Sequence, residues 1–218
     1  MKTVLIVAAH PDDELLGAGG TAARHAAAGD QVYSAVMCEG ESLRYQKDVG
    51  QRKAMVRAAE ILGVKRVDSL GFPDQRLDTF TLTELIAPLE KLSEELRPNI
   101  VYCQYGGDIN RDHQLLFEAA NVAFRPLDPW IEEFLTFYTV SSSEWGYPHG
   151  FIPDTWVDIS AVLEKKIQAF SCYQSEVRAY PHPRSREALR HAAHFFGNQC
   201  CMDAAEAFKT VRRLRRDA

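Results

Sequence analysis

The residues that could do chemistry lie close together near the start of the chain. His10, Asp12, Asp13 and Glu14 directly follow the apolar run 4–8. Three carboxylates within three positions repel one another, so their burial is unfavourable unless a bound metal or fixed positive groups offset the charge. An imidazole and a carboxylate three residues apart can direct one nitrogen and one oxygen at a single ion. We therefore expect His10 and Asp13 to be metal ligands.

A third metal ligand is expected at the end of another strand. Catalytic zinc sites use three protein ligands and leave one position for water. His113 is the best candidate, because it closes the polar segment 107–113 after a predicted strand. Histidine and carboxylate ligands suit Zn²⁺, although Fe(II), Co(II) and Mn(II) accept the same set. Zinc lowers the pKa of bound water to about 7, and Asp12, next to a ligand, is placed to take the proton of that water.

Two other interpretations of this region remain open. Asp12 or Asp13 could simply cap a helix, with Glu14 favoured by the helix dipole. Three small residues also loosely suggest the phosphate-binding loop of a dinucleotide fold: Gly17, Gly19 and Gly20. In that fingerprint the glycines occupy the turn on which the pyrophosphate lies, whereas acids occupy it here and would repel phosphate. We therefore expect the glycines to let a helix pack closely on the sheet.

The elements that must position these residues alternate along the first part of the chain. Apolar runs predict strands at 4–8, 32–38, 67–70 and 100–103, and spacing and end signals predict helices at 15–28, 49–62, 82–96 (interrupted by Pro88) and 112–124. This alternation predicts an α/β fold, with a mostly parallel sheet and helices on both faces. Ligand sites of such sheets lie at the carboxyl ends of the strands. One rim should therefore hold the residues that directly follow strands: His10, Glu39, Asp74 and 108–113.

The last third of the chain is less regular. Residues 134–140 alternate enough to predict a further strand, whereas 159–171, 186–196 and 204–214 are predicted as helices. These elements would complete the sheet or cover the site. The last predicted helix would carry four basic residues at its end, where the dipole favours cations: Arg212, Arg213, Arg215 and Arg216.

Composition limits the kind of protein. The chain has 218 residues, of which 46% are hydrophobic, and a formal net charge of -5. These values predict one domain spanning 1–218, and the negative charge argues against a nucleic-acid surface. The apolar run at the start is too short for a signal peptide or a membrane span, so we expect no transmembrane segment and a cytoplasmic location. Five cysteines without a C-x-x-C pair are expected to be reduced thiols, and the sequence leaves a homo-oligomer open.

Several segments together resemble one known family. They are 9–14 (Ala-His-Pro-Asp-Asp-Glu), 112–113 (Asp-His), 173–176 (Tyr-Gln-Ser-Glu) and 205–208 (Ala-Glu-Ala-Phe). In content and order they are similar to the PIG-L (LmbE-like) zinc-dependent de-N-acetylases over nearly the whole chain. The resemblance implies a Rossmann-like sheet, Zn²⁺ held by His10, Asp13 and His113, and Asp12 as general base. It also implies N-acetyl amino sugars, or their nucleotide, lipid or glycoside conjugates, as substrates.

One position departs from the family pattern. Many members have a histidine three residues before the last metal ligand, where it polarises the acyl carbonyl, and this chain has Asn110. Asparagine can donate a hydrogen bond to a developing oxyanion but cannot carry an imidazolium charge. We expect this catalytic role to be weaker here, or to be shared with His182 in 181–185 (Pro-His-Pro-Arg-Ser), unless His182 merely forms a surface turn. Asp112 is expected to orient a neighbour such as His113.

Substrate contacts are also implied by the resemblance. Arg52 and Asp74 match positions that bind sugar hydroxyls or a linked phosphate, although a solvated helix arginine and an ordinary turn also explain them. Trp145 could stack on a sugar ring or simply pack in its loop. We expect an N-deacetylase of amino sugars. The alternatives are a metal-dependent amidohydrolase for another N-acylated metabolite and a nucleotide-binding Rossmann-like module without hydrolysis.

Overall fold

A computed structural model describes residues 1–43, 45, 47 and 49–215, and in these residues a mixed sheet organises the fold. The strands are β1 Thr3–Ala8, β2 Gln31–Cys38, β3 Arg66–Phe72, β4 Ile100–Gln104, β5 Glu133–Phe137, β6 Thr155–Asp158 and β7 Ala205–Arg213. Their order in the sheet is β3-β2-β1-β4-β5-β7-β6. The first five strands pair in parallel, whereas β7 runs antiparallel to both β5 and β6.

Helices cover both faces of this sheet. They are α1 Asp13–Ala27, α2 Gln51–Leu62, α3 Leu82–Leu96, α4 Arg111–Ala123, α5 Leu163–Phe170 and α6 Arg186–Asn198. On one face α3 and α4 pack together over a core that includes Leu85 and Leu116. On the other face α1, α2 and α5 pack over a core that includes Leu15 and Phe170, and α6 packs against β7. The predicted α/β class, with a mostly parallel sheet and helices on both faces, is confirmed.

Strand β1 lies in the interior of the sheet, between β2 and β4. Its residues 4–8 are buried, because a parallel strand covered by helices on both faces is apolar throughout. The chain continues from β1 to β2 on one side and later enters β4 on the other, so the strand order reverses at β1. Such a switch point opens a crevice at the carboxyl ends of the strands. Residues that follow β1 and β4 therefore face one another.

The prediction of a final helix at 204–214 is wrong, because this segment contains β7. Phe208 lies opposite Phe137 of β5 on one side and opposite Thr155 of β6 on the other. Its side chain is fully buried. Pairing with two neighbouring strands therefore overrides the helical spacing that the sequence suggested.

The basic residues near the end of the chain therefore do not lie at the end of the helix predicted at 204–214. Arg212 lies in β7, and its guanidinium donates hydrogen bonds to the main-chain oxygens of Asn121 and Phe124. These oxygens lie at the end of α4, so the cation does meet the negative end of a helix dipole, although of a different helix. Arg216 lies outside the described residues.

Some predicted boundaries also differ from the observed ones. The strand predicted at 134–140 ends at Phe137. The helix predicted at 159–171 is divided into a 3₁₀ turn at Ser160–Val162 and α5. Pro88 does not interrupt α3, which continues through it.

Two glycines allow α1 to pack closely on its neighbours. A side chain at Gly17 would overlap the ring of Phe137 in β5, and one at Gly20 would overlap Ile159. The expectation that these small residues serve helix packing is confirmed. The glycines therefore need no dinucleotide ligand to explain them.

All five cysteines are free, and Cys38 and Cys103 are buried in the sheet. Among the described residues, every helix is too short or too polar to cross a bilayer.

Candidate metal centre

Three buried side chains converge at the crevice beyond β1 and β4. His10 Nδ1 lies 3.1 Å from Asp13 Oδ2 and 3.3 Å from His113 Nε2, and the last two atoms are 3.2 Å apart. Ligand atoms of a tetrahedral zinc ion, each at about 2.0–2.2 Å from it, are separated by about 3.3 Å. The three atoms are thus spaced as ligands of one small cation, and His10, Asp13 and His113 fit the ion that the sequence predicts.

The turn between β1 and α1 places two of these ligands. The main-chain N–H of Asp13 donates to the carbonyl of His10 at 3.2 Å, which closes the turn. Between them Asp12 adopts a left-handed conformation with φ 100, which is costly for a residue with a side chain. The N–H of Asp12 donates to Glu14 Oε2 at 3.0 Å, and this bond helps to hold the strained backbone. Asp12, which directly precedes the ligand Asp13 in the chain, has a fully buried carboxylate.

Two further carboxylates orient the ligand histidines. His10 Nε2 lies 3.0 Å from Asp112 Oδ2, and in the tautomer with its proton on Nε2 the ring donates to this carboxylate and Nδ1 stays available for a metal. Asp108 Oδ1 lies 3.2 Å from His113 Nδ1 and leaves Nε2 available in the same way. Asp112 thus orients His10 and not, as the sequence analysis expected, His113. The carboxylate that orients His113 is that of Asp108. Cys38 Sγ also lies near Asp112 Oδ2, at 3.6 Å, as a hydrogen-bond donor.

Other polar residues fix these carboxylates and escaped the sequence analysis. Gln104, the last residue of β4, donates from Nε2 to Asp13 Oδ2 at 2.7 Å and accepts from the main-chain N–H of Ala9 at 2.7 Å. It ties the two central strand ends together. Ser143 Oγ donates to Asp108 Oδ2 at 2.6 Å, and Ser142 Oγ donates to the other oxygen of the same carboxylate. Single amides and hydroxyls carry no distinctive spacing, so the sequence offered no signal for them.

Arg184 is the most important residue that the sequence analysis missed. Its Nη1 lies 3.0 Å from Asp12 Oδ2 and 2.7 Å from Glu176 Oε2, and its Nε donates to Ser141 Oγ at 2.8 Å. The Arg184 side chain is only 13% exposed, and a guanidinium so largely removed from water is rare unless it is paired with carboxylates, as it is here. Arg184 and Glu176 both stand in segments that the sequence analysis singled out, at 181–185 and 173–176, and those segments were the available signal.

The electrostatics of the centre favour a cation between the ligands. Burial would raise the pKa of Asp13, but the charges and hydrogen bonds of His113 and His10 hold that pKa well below its usual value. Burial would lower the pKa of His113, yet Asp13 and Asp108 raise it to about 9. Positive charge is thus stabilised where the three ligand atoms meet. Asp12 differs, because burial raises its pKa well above the usual value despite the opposing charge of Arg184.

Comparison with known families decides the relationship of this chain. The sequence model of the PIG-L family, described as GlcNAc-PI de-N-acetylase, matches residues 5–124. The chain belongs to the PIG-L family. The matched region spans β1 to the end of α4 and includes all three candidate ligands.

Individual relatives extend the PIG-L similarity to the whole chain. Diacetylchitobiose deacetylase of Thermococcus kodakarensis is 29% identical over 97% of this chain and 84% of its own length. A conserved protein of Thermus thermophilus has a solved structure with a TM-score of 0.81, at 27% identity over 100% of this chain and 98% of its own. GalB, the 4-carboxy-2-hydroxymuconate hydratase of Pseudomonas putida, has a TM-score of 0.79 at 23% identity, over 100% of both chains. The last likeness concerns the fold alone.

The two residues expected to polarise an acyl group have hydrogen-bond partners other than the three ligands in this PIG-L structure, and their catalytic role stays a prediction. Asn110 caps α4, since its Oδ1 accepts from the N–H of Asp112 at 2.9 Å, and its Nδ2 donates to Gln75 Oε1 at 3.4 Å. His182 is exposed, and its Nδ1 accepts from the N–H of Arg184 at 3.0 Å. None of the hydrogen bonds between described residues joins His182 to a ligand or to Asp12. The interpretation of His182 as part of a surface turn fits this position.

The three residues expected to contact substrate lie in different surroundings. Asp74 is fully buried, with Oδ1 at 3.7 Å from His10 Nε2, so it adjoins a ligand on the side away from the shared cation position. Arg52 is exposed as the second residue of α2. Trp145 is 53% exposed at the end of the 3₁₀ turn Ser143–Trp145. Contact of Arg52 or Trp145 with a sugar stays a prediction.

Proposed function

We propose that this PIG-L protein is a zinc-dependent hydrolase that removes the N-acetyl group from an amino sugar or its conjugate and releases acetate. The observation that carries the proposal is the meeting of His10 Nδ1, Asp13 Oδ2 and His113 Nε2 at 3.1–3.3 Å beside the buried carboxylate of Asp12. Family membership supports the reaction, and the similar archaeal diacetylchitobiose deacetylase supports a carbohydrate substrate.

His10, Asp13 and His113 would hold the ion. When bound, zinc would supply an acidified water and would polarise the acyl carbonyl. A substrate would reach this point through the crevice expected at the carboxyl ends of β1 and β4.

Asp12 is assigned the proton transfers. Its carboxylate is buried, Oδ2 is paired with Arg184 Nη1 at 3.0 Å, and Oδ1 accepts no hydrogen bond from the described residues, so Oδ1 is available to a reacting group. Burial raises its pKa, which makes the carboxylate a stronger base than an exposed aspartate. Asp12 takes a proton from the attacking water and returns it to the departing amine nitrogen, which leaves as the free amino sugar.

Arg184 keeps this base in place. Its pKa is raised by the charges of Asp12, Asp13 and Glu176 even though burial opposes this, so the guanidinium stays cationic throughout. A second carboxylate, that of Glu176, binds the same guanidinium at 2.7 Å. This second bond fixes the position of the guanidinium, so it does not move with the side chain of Asp12. The pairing orients Asp12 and still leaves it able to accept a proton.

The decisive experiment pairs metal analysis with an acetate-release screen. Purified protein would be assayed for zinc, iron, cobalt and manganese, and then supplied with N-acetyl sugars, their nucleotide and glycoside conjugates, and N-acetylated amines without a sugar. We expect about one zinc per chain and acetate release from a sugar substrate that a chelator abolishes and zinc restores. Release from the non-sugar amides alone would favour an amidohydrolase of another metabolite. Nucleotide binding without metal would favour a non-catalytic module and overturn the proposal.

The substrate class and the location of the protein are also proposals. We propose a small-molecule amino-sugar substrate and a cytoplasmic location for a chain whose described helices contain no candidate membrane span. Whether copies of the chain associate would be measured by light scattering on the metal-loaded protein.

A further inference from the structure

Helix α1, which begins at the ligand Asp13, is broken near its start. Ala18 has φ -136 and ψ 17, which are not helical values, so 13–17 forms a short first segment. In an unbroken helix the N–H of Gly20 would donate to the carbonyl of Leu16, four residues earlier. At the break these two groups have other partners, which come from distant parts of the chain.

A buried ion pair supplies those partners. Glu206 of β7 accepts from the N–H of Gly20 at 2.8 Å through Oε1 and from the N–H of Thr21 at 2.7 Å through Oε2. Lys166 of α5 donates from Nζ to the carbonyl of Leu16 at 2.7 Å and to Glu206 Oε1 at 2.6 Å. Both charged side chains are buried, at 6% and 4% exposure. The pair therefore bonds to both sides of the break.

We propose that the Lys166–Glu206 pair positions the metal centre by holding the short first segment of α1 at its observed angle. The inference rests on the proposed function, because the segment matters through the ligand Asp13. Five residues cannot maintain a helical segment alone, since nucleation is unfavourable and few hydrogen bonds are gained. The pair attaches the far end of the segment to α5 and β7, and Asp13 at its near end is thereby held against His10 and His113.

The energetics of buried ion pairs favour this role over simple stabilisation. A buried pair loses hydration, and replacement by apolar residues of similar volume is often neutral or stabilising. The pair is therefore poorly explained as a source of stability. It is better explained as an interaction that favours a broken helix over a continuous one. The pair bonds the N–H of Gly20 and the carbonyl of Leu16, which a continuous helix would join to each other.

Removal of the pair should let the helix close. With Lys166 and Glu206 both replaced by methionine, the N–H of Gly20 can return to the carbonyl of Leu16. The first segment then changes its direction relative to the rest of α1, and Asp13 Oδ2 moves away from the point shared with His113 Nε2. The three-ligand geometry loosens although every ligand is still present.

The test compares the double variant Lys166→Met/Glu206→Met with wild type and with Leu89→Ala. Leu89 is fully buried in α3 on the opposite face of the sheet, so its truncation lowers stability without touching α1. Zinc affinity would be measured by competition with a chromophoric chelator, site geometry by the visible spectrum of the cobalt-loaded protein, and stability by thermal unfolding of the metal-free protein. We expect the double variant to bind zinc about 10–100-fold more weakly and to show an altered cobalt spectrum, and Leu89→Ala to show neither change.

A second variant, Glu206→Gln, keeps the volume of the side chain and one acceptor oxygen. Its zinc affinity and cobalt spectrum test the inference if the double variant does not fold. We expect a smaller loss of zinc affinity. Wild-type affinity and spectrum in either folded variant would overturn the inference, as would an equal loss of affinity in Leu89→Ala. A wild-type protein that binds no zinc and releases no acetate would instead overturn the proposed function.

Discussion

Arg184 Nη1 lies 3.0 Å from Asp12 Oδ2, and this contact joins the loop before α6 to the turn between β1 and α1. The same guanidinium binds Glu176 at 2.7 Å, so one largely buried cation pairs with two buried carboxylates. Without it the two acids would repel each other and Asp13. The base that the proposed reaction requires therefore depends on a partner in a distant part of the sequence.

Replacing this partner should damage both activity and stability. In Arg184→Met, Asp12 and Glu176 lose their cation, and removal of one member of a buried pair costs about 3–5 kcal/mol. We expect acetate release to fall strongly and the free energy of unfolding, measured in urea, to fall by that amount. Arg190→Met is the control, because Arg190 pairs with the exposed Glu164 and such surface pairs contribute little. Equal effects in the two variants would contradict the special role of Arg184.

Asp12→Asn tests the assignment of the general base. Asparagine has nearly the same shape but cannot take a proton, and general acid–base catalysis contributes about 10²–10⁴-fold to rate. We expect kcat for acetate release to fall by at least about 10²-fold, with zinc content near that of wild type. In contrast, His113→Ala should lose both zinc and activity. Wild-type turnover in Asp12→Asn would show that another group moves the proton.

Asp108→Asn tests how His113 is oriented. The carboxylate of Asp108 faces His113 Nδ1 at 3.2 Å, and loss of such a partner lowers metal affinity by about 10–100-fold. The same reasoning applies to Asp112→Asn, which alters the partner of His10. Equilibrium dialysis against zinc buffers would measure both affinities. If Asp112→Asn disturbed only the spectroscopic signature of His113, the observed pairing of Asp112 with His10 would be contradicted.

Asn110 variants separate helix capping from catalysis. Asn110→Asp retains an acceptor for the N–H of Asp112, so we expect a folded protein with substantial activity. Asn110→Ala removes the cap and should cost about 1 kcal/mol of stability. Thermal unfolding and steady-state kinetics would be recorded for both. A folded Asn110→Asp protein without activity would restore the catalytic role that the sequence suggested for this amide.

His182→Ala should leave kcat within a few-fold of wild type. The imidazole is exposed, and its Nδ1 is occupied by the N–H of Arg184. Steady-state kinetics over a range of substrate concentrations would reveal any effect on kcat or KM separately. A large loss of kcat with unchanged stability would place His182 in the reaction after all.

Much of the fold was predictable because its elements follow local rules. Apolar runs and helical spacing identified the alternation up to α4, and the placement of ligand sites at strand ends put His10 and His113 on one rim. The spacing in 204–214 led to a wrong prediction. The conformation of a segment that pairs with a strand on each side is decided by those strands and not by the hydrophobic period of its own sequence. The sequence analysis did not predict that Asn110 also caps α4, because that role depends on where the helix begins.

The sequence by itself determined the acid-rich turn after a buried strand, the parallel α/β architecture and the three side chains suited to a metal, because these depend on residue type, spacing and period within short segments. Only the tertiary structure decided which carboxylate orients which histidine, that Arg184 and Glu176 hold Asp12, and that Lys166 and Glu206 bond across the break in α1. These contacts join residues far apart in the chain. Their geometry depends on how strands and helices pack, and no local pattern of residues encodes it.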